Sequence, residues 1–263
     1  MDIQNWIAKH NMGKYQCCIL CNLDRKCFFV GGDAGCLASS PDGVTWTFKN
    51  GLRSMSNTQW GVTHTVNGLA YSGSTYVAVG TGARIGTSPD GTTWTYRSGI
   101  QATSWGTDEI WCINWSGSKF IIGGLNGKIA TSPDGITWTF RSGLRSTGWG
   151  TTSTVRSVFW TGSFYIATGD AGKVATSSDG ITWSYHGVPS GMTAGASAIS
   201  IGSQYMITGG YGNVALSSNG TTWTPNSTLS SSGWGGSASA RTSTWNGTIA
   251  IVGGMAGNLA TSP

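Results

Sequence analysis

Ser132-Pro133-Asp134-Gly135-Ile136-Thr137-Trp138 recurs along the chain. The same Ser-Pro-Asp-Gly-x-Thr-Trp string stands at Ser40–Trp46 and Ser88–Trp94. Variants follow at Ser178–Trp183 (SDGITW) and Ser218–Trp223 (SNGTTW). Each is preceded by a second landmark: an apolar run, a Gly-rich turn and a short run ending in Ser, as in Phe28–Ser39, Phe120–Ser132 and Tyr165–Ser177. The second landmark appears once more, at Ile249–Ser262, with no Asp-Gly string after it. Self-similarity at a fixed period of this size is the mark of a repeat architecture.

The expected missing copy lies at the other end of the chain. Aligning Asp2–Lys9 with Asp134–Arg141 matches Asp with Asp, Trp with Trp and Lys with Arg. Trp6, Trp46, Trp94, Trp138, Trp183 and Trp223 then fall 40, 48, 44, 45 and 40 residues apart. From Trp223 through residue 263 and on from residue 1 to Trp6 is another 46. A unit of about 44 residues with four short strands is a β-propeller blade. The expected fold is therefore an all-β, six-bladed β-propeller of four-stranded antiparallel blades, a single domain over residues 1–263, with Asp2–Lys9 as outer strand of the last blade. Naming the strands a to d from the inside out, the third blade has a near Glu109–Trp115, b near Phe120–Gly123, c near Lys128–Ser132 and d near Ile136–Arg141. In d, Ile136, Trp138 and Phe140 are expected on one side and Thr137, Thr139 and Arg141 on the other. Lys9, Lys49, Arg97 and Arg141 close their outer strands with charge, and Pro225 sits where only an edge strand tolerates it.

Composition agrees with this and limits function. Among 263 residues there are 42 Gly and 14 Trp, only 10% are charged and 38% are hydrophobic. Frequent Gly, Ser, Thr and Trp disfavour long helices, while the apolar content can support a core. No apolar run approaches the ~18 residues of a membrane span, so no membrane insertion is expected. The N-terminal stretch has no apolar h-region, which points to synthesis in the cytoplasm without a signal peptide. Net charge is +5, yet Lys and Arg are scattered rather than gathered in a stripe, so nucleic acid is not expected as a partner. Nine Asp, the single Glu109 and His10, His64 and His186 are the acid–base supply. None of the histidines has a Ser, Cys or Asp at a telling spacing, and no enzyme activity is expected.

Ser-Pro-Asp-Gly-x-Thr-Trp resembles the Asp-box, or bacterial neuraminidase repeat, in a shortened form with Asp and Gly adjacent. The resemblance extends along the whole chain as a repeat. It implies a propeller, and in that family the box is a structural turn between the two outer strands. Such boxes occur in sialidases, lectins and assembly factors alike, so the fold leaves function open. Asp42, Asp90, Asp134 and Asp179 are expected to cap backbone N–H groups of their own turns rather than ligate calcium, because Asn219 replaces Asp in one copy. A sialidase-type glycosidase would need two converging carboxylates, drawn from Asp24, Asp33, Asp108, Glu109 and Asp170. No metal and no cofactor is expected. Cys17, Cys18, Cys21, Cys27 and Cys36 cluster in the first repeat, with Cys112 in the third. Buried, reduced thiols are the expectation, with zinc at Cys18-x-x-Cys21 or a disulfide as alternatives. Cys27 is read as the counterpart of Tyr76, Phe120 and Tyr165.

Antiparallel order puts the a–b and c–d turns at one end of each blade, and the b–c turns and d-to-a crossovers at the other. The crossovers Asn50–Gly61, Ser98–Asp108, Ser142–Thr154 and Asn226–Ser237 each contain Trp-Gly; Gly187–Ala194 has Met192 instead. Trp60, Trp105, Trp149 and Trp234 are therefore the candidate ligand platforms, with Arg53 and Arg145 at matching positions as hydrogen-bond donors. The competing reading makes these tryptophans spacers between blades. Two functions follow: a multivalent, lectin-like propeller binding a glycan or host surface receptor, or a structural ring docking other virion proteins. The low charge and the Gly-, Ser-, Thr- and Trp-rich repeats resemble propeller lectins and phage tail or virion-surface proteins.

Overall fold

The computed structural model describes residues 18–21, 27–193, 195–227, 229, 234, 239–254 and 258–262. Successive strands form six small antiparallel sheets, each built from neighbours in sequence. The first holds β1 (Cys18–Cys21), β2 (Phe28–Gly31), β3 (Leu37–Ser40) and β4 (Thr47–Lys49). The second holds β5 (Val66–Tyr71), β6 (Tyr76–Gly80), β7 (Ile85–Ser88) and β8 (Thr95–Arg97). The third holds β9 (Ile110–Trp115), β10 (Phe120–Gly124), β11 (Ile129–Ser132) and β12 (Thr139–Arg141). The fourth holds β13 (Val155–Trp160), β14 (Tyr165–Gly169), β15 (Val174–Ser177) and β16 (Ser184–Gly187). The fifth holds β17 (Gly195–Ile201), β18 (Gln204–Gly209), β19 (Val214–Ser217) and β20 (Thr224–Asn226). The sixth has three strands among the described residues, β21 (Ala240–Trp245), β22 (Ala250–Gly254) and β23 (Leu259–Ser262). This is a six-bladed β-propeller. Asp2–Lys9, expected to complete the sixth blade, lies outside the described residues.

Two compact units divide the chain. One holds the described residues up to Ile122 together with Ala130–Phe140; the other holds Gly123–Ile129 and the described residues from Arg141 onward. In the first, two apolar clusters form, one around Leu37, Leu52, Trp60 and Tyr76, the other around Ile85, Ile100, Trp105 and Phe120. In the second, Ile166, Val174, Met192 and Ile207 form one cluster, and Met206, Val214, Trp234 and Val252 another. Strands b and c supply most of the buried side chains: β6, β7, β10 and β11 are buried along their whole length. Burial along a whole strand marks an interior strand covered on both faces.

The outer strands are shorter than expected. In the third blade β12 begins at Thr139, not Ile136. Asp134 explains this: its Oδ1 accepts from the N–H groups of Ile136 and Thr137, both at 2.8 Å, and from Ser132 Oγ at 2.9 Å. Those N–H groups are spent in the turn and unavailable to a ladder. Ile136 is consequently 42% exposed instead of sharing the buried side with Trp138. Trp138 locks the far end of the turn, donating from Nε1 to Gly135 O at 3.1 Å.

The same cradle recurs at Asp42, Asp90 and Asp179, and at Asn219 with an amide oxygen in place of the carboxylate. For Asp42 the N–H groups of Thr45 and Val44 hold the carboxyl down to about 2, and those of Thr93 and Thr92 do the same for Asp90. Partial burial opposes the shift at Asp134 and Asp179, but the turn N–H groups still leave both below the usual value. A depressed carboxyl adds stability that is complete above the unfolded value of 3.8 and fades as pH falls through about 2. Asp42→Asn with Asp90→Asn, which copies the turn at Asn219, should keep the turns and flatten the acid limb of a melting-temperature profile between about pH 5 and 2. An unchanged acid limb would show that the cradle carboxylates do not set it.

The b–c connections are primed hairpin turns. In the first blade Cys36 N donates to Asp33 O at 3.1 Å, and the two central residues, Ala34 and Gly35, have φ of 57° and 64°. Asn126-Gly127 and Tyr211-Gly212 repeat the pattern. Left-handed backbone at both centres matches the twist of the flanking strands.

Candidate functional site

The crossovers are where sequence reading places the ligand sites, and here the structure corrects it. Trp60, Trp105 and Trp149 are 0% exposed and Trp234 is 5% exposed. No indole face is left for a sugar. A glycine on the b–c turn of one blade and another at the end of strand b of the next make room for three of the rings. A Cβ on Gly127 would lie 3.0 Å from Trp149 Cδ1, and one on Gly169 would lie 2.4 Å from Trp149 Cζ2. Trp60 sits likewise between Gly35 and Gly80, and Trp234 between Gly212 and Gly254. These residues are therefore spacers: each is a wedge between consecutive blades.

Hydrogen bonds fix the wedges. Trp105 Nε1 donates to Asp108 O at 2.8 Å and Trp149 Nε1 to Ser153 O at 3.1 Å. Lys173 Nζ donates to Trp149 O at 2.6 Å, and Asn258 Nδ2 donates to Trp234 O. Met192, 5% exposed, is the apolar substitute in the crossover into the fifth blade, against Gly172. The glycine after the tryptophan serves the backbone: Gly61, Gly106 and Gly150 all have positive φ. Arg53 reaches back to the first blade. Its guanidinium donates to Cys36 Sγ at 3.2 Å, pinning the first b–c turn, and Arg145 lies against Gly127 in the matching place. Both arginines are half-buried beside these turns.

The acid supply is also tied into the fold. Asp170 accepts from Arg156 Nε at 2.8 Å and from Thr154 N at 2.9 Å; burial opposes the shift, yet these donors hold its carboxyl below the usual range. Asp33 accepts from Thr65 Oγ1 at 2.9 Å, and Glu109 from Asn67 Nδ2 at 2.8 Å. His64 Nδ1 is 2.8 Å from Trp60 O and 2.9 Å from Thr63 Oγ1. Burial pushes the His186 imidazole below its ordinary pKa, and its Nε2 bonds Thr176 Oγ1 at 2.7 Å. Phe28, not Cys27, is the counterpart of Tyr76 and Tyr165, because Phe28 pairs with Ser40 as Tyr76 does with Ser88 and Tyr165 with Ser177. Cys36 is buried, and Cys27 and Cys112 are half-buried. His10, Cys17 and Asp24 lie outside the described residues.

No protein-family model and no curated protein sequence matches the chain. Its likeness is to solved structures. YCF48 bound to D1 peptide superposes with a TM-score of 0.51 at 16% identity, covering 93% of each chain. YCF48 from Cyanidioschyzon merolae gives 0.62 at 17% identity, over 89% of this chain and 78% of that one. The extracellular domain of the putative hybrid two component system BT3049 from B. thetaiotaomicron gives 0.67 at 12% identity, over 94% of this chain but 33% of that one. At these identities the likeness is one of fold.

The opposite end of the blades carries a repeat that sequence reading overlooks. Tyr71-Ser72-Gly73-Ser74, Trp115-Ser116-Gly117-Ser118, Trp160-Thr161-Gly162-Ser163 and Trp245-Asn246-Gly247-Thr248 each link strand a to strand b. Aligning the chain on its b strands, rather than on the Asp-Gly strings, would bring this signal out. All four aromatics are half-buried, and the Gly and the residue after it are exposed in every copy. The glycines have φ of 99°, 90°, 100° and 102°, and a Cβ on any of them would meet nothing within 4 Å. These turns stand in open solvent.

Proposed function

We propose that the chain is a non-enzymatic binding propeller that recognises a glycan or surface receptor through several equivalent turns. One observation carries this reading: Asp33, Asp42, Asp90, Asp134, Asp170, Asp179 and Glu109 are all engaged as acceptors within the fold. A carboxylate held this way, and held below its ordinary pKa at five of these positions, is a poor general acid at neutral pH. The repeated shortened Asp-box turns support the same reading, as elements that build a rigid scaffold on which loops bind. A glycosidase of sialidase type fits these engaged carboxylates least well.

A second reading, a protein-docking ring, draws on the similarity to YCF48, whose solved structure is with a peptide. In both readings we place the chain on a virion surface or phage tail, on the strength of its composition alone. Incubating the intact chain with an immobilised glycan array and, in parallel, a peptide array tests the proposal. Binding to glycans with every ligand recovered intact is the expected result. Cleavage of any bound glycan would overturn the non-enzymatic reading, and capture of peptides alone would favour the docking ring.

A further inference from the structure

The a–b turns have the chemistry that the crossovers lack. We propose that Tyr71, Trp115, Trp160 and Trp245, each with its adjoining hydroxyl- or amide-bearing turn, form equivalent binding sites for neutral hexopyranose units. This rests on the binding-module reading above and names its ligand class and location. Each site lies within one blade.

An apolar ring face suits the C–H face of a pyranose, and polar groups beside it then select by hydrogen bonding. Both are present here. Tyr71 is backed by Tyr76 at 4.2 Å between centroids, Trp115 by Phe120 at 4.5 Å and Trp160 by Tyr165 at 4.5 Å. Backing of this kind fixes a ring before a ligand arrives, which lowers the ordering cost of binding. Unlike Trp105 and Trp149, the indole N–H groups of Trp115, Trp160 and Trp245 have no acceptor among the described residues, and they are not sealed from solvent. In the proposed sites they donate to the ligand.

The turns hold their polar groups in place. Ser72 N donates to Thr75 O at 3.1 Å, Ser116 N to Lys119 O at 3.1 Å and Thr161 N to Phe164 O at 2.9 Å, so each hydroxyl springs from a closed loop. Lys119 is the one formally charged side chain across the four turns, which favours an uncharged ligand. The fifth blade is an internal comparison. There the connection shrinks to Gly202-Ser203 between Ile201 and Gln204, and the aromatic and the longer hydroxyl turn are lost together. A ring needed for packing alone has no reason to vanish with the exposed turn beside it. Several weak sites on one chain gain by avidity on a polymer.

Two variants test the assignment. Trp115→Phe/Trp160→Phe/Trp245→Phe keeps an aromatic ring at each position and deletes the indole donors. Ser74→Ala/Ser118→Ala/Ser163→Ala removes exposed hydroxyls outside the core. Affinity electrophoresis of the full chain through dextran, mannan and galactan is the readout, with melting temperature measured beside it. Retardation of the parent by at least one polymer, weakened about tenfold or more in both variants at unchanged melting temperature, is the expected result. Retardation equal to the parent's in both variants would overturn the assignment. So would a parent that ignores all three polymers; if that parent still captures peptides, the binding-module reading survives while this one fails.

Discussion

Trp149→Ala should lower the melting temperature by on the order of 10 °C. Truncating a buried tryptophan costs about 3–5 kcal/mol, and a domain has only ~5–15 kcal/mol in all. Here the loss extends beyond the ring. Removing the indole leaves Ser153 O without its donor and empties the space that Gly127 and Gly169 keep clear on either side. The reciprocal change should also be severe. In Gly169→Ala the new Cβ would lie 2.1 Å from Thr154 O and 2.4 Å from Trp149 Cζ2, neither of which can rotate away. Overpacking typically costs about 1–3 kcal/mol, and a backbone oxygen in the way places this case at the upper end. Thermal melts of both variants check the spacer role; a Trp149→Ala protein that melts with the parent would remove it.

Deleting residues 2–9 should destabilise the chain on a similar scale. By its register with the other outer strands, this segment is expected to complete the sixth blade and to bury Trp6. Loss of Trp6 burial alone corresponds to about 3–5 kcal/mol. Calorimetry on the truncated chain is the check, and a melting temperature equal to that of the full chain would refute the closure.

Much of the scaffold was legible from residues because its chemistry is local. Ser132, Asp134, Gly135 and Trp138 close their hydrogen bonds within seven consecutive residues, so a single string reports the whole turn, and its recurrence reports the blades. The start of strand d was less legible: Ile136-Thr137-Trp138 alternates like a strand, but the Asp134 carboxylate takes the N–H groups a strand would need. Crossover function was not legible at all. Trp-Gly looks the same whether the ring is offered to a ligand or wedged between blades, and the glycines that settle it, Gly127 and Gly169, stand well before and well after Trp149 in the chain. The contact of Arg53 with Cys36 was hidden for the same reason, since Cys36 belongs to another turn.

The central claim is a division of labour: crossover tryptophans hold the blades, and a–b tryptophans meet the ligand. Indole N–H resonances of the 14 tryptophans, followed by two-dimensional NMR on 15N-Trp-labelled protein during titration with a bound oligosaccharide, test it most directly. The signals of Trp115, Trp160 and Trp245 should move with saccharide while those of Trp60, Trp105, Trp149 and Trp234 stay in place. Movement of the crossover signals, with the a–b signals unmoved, would contradict it.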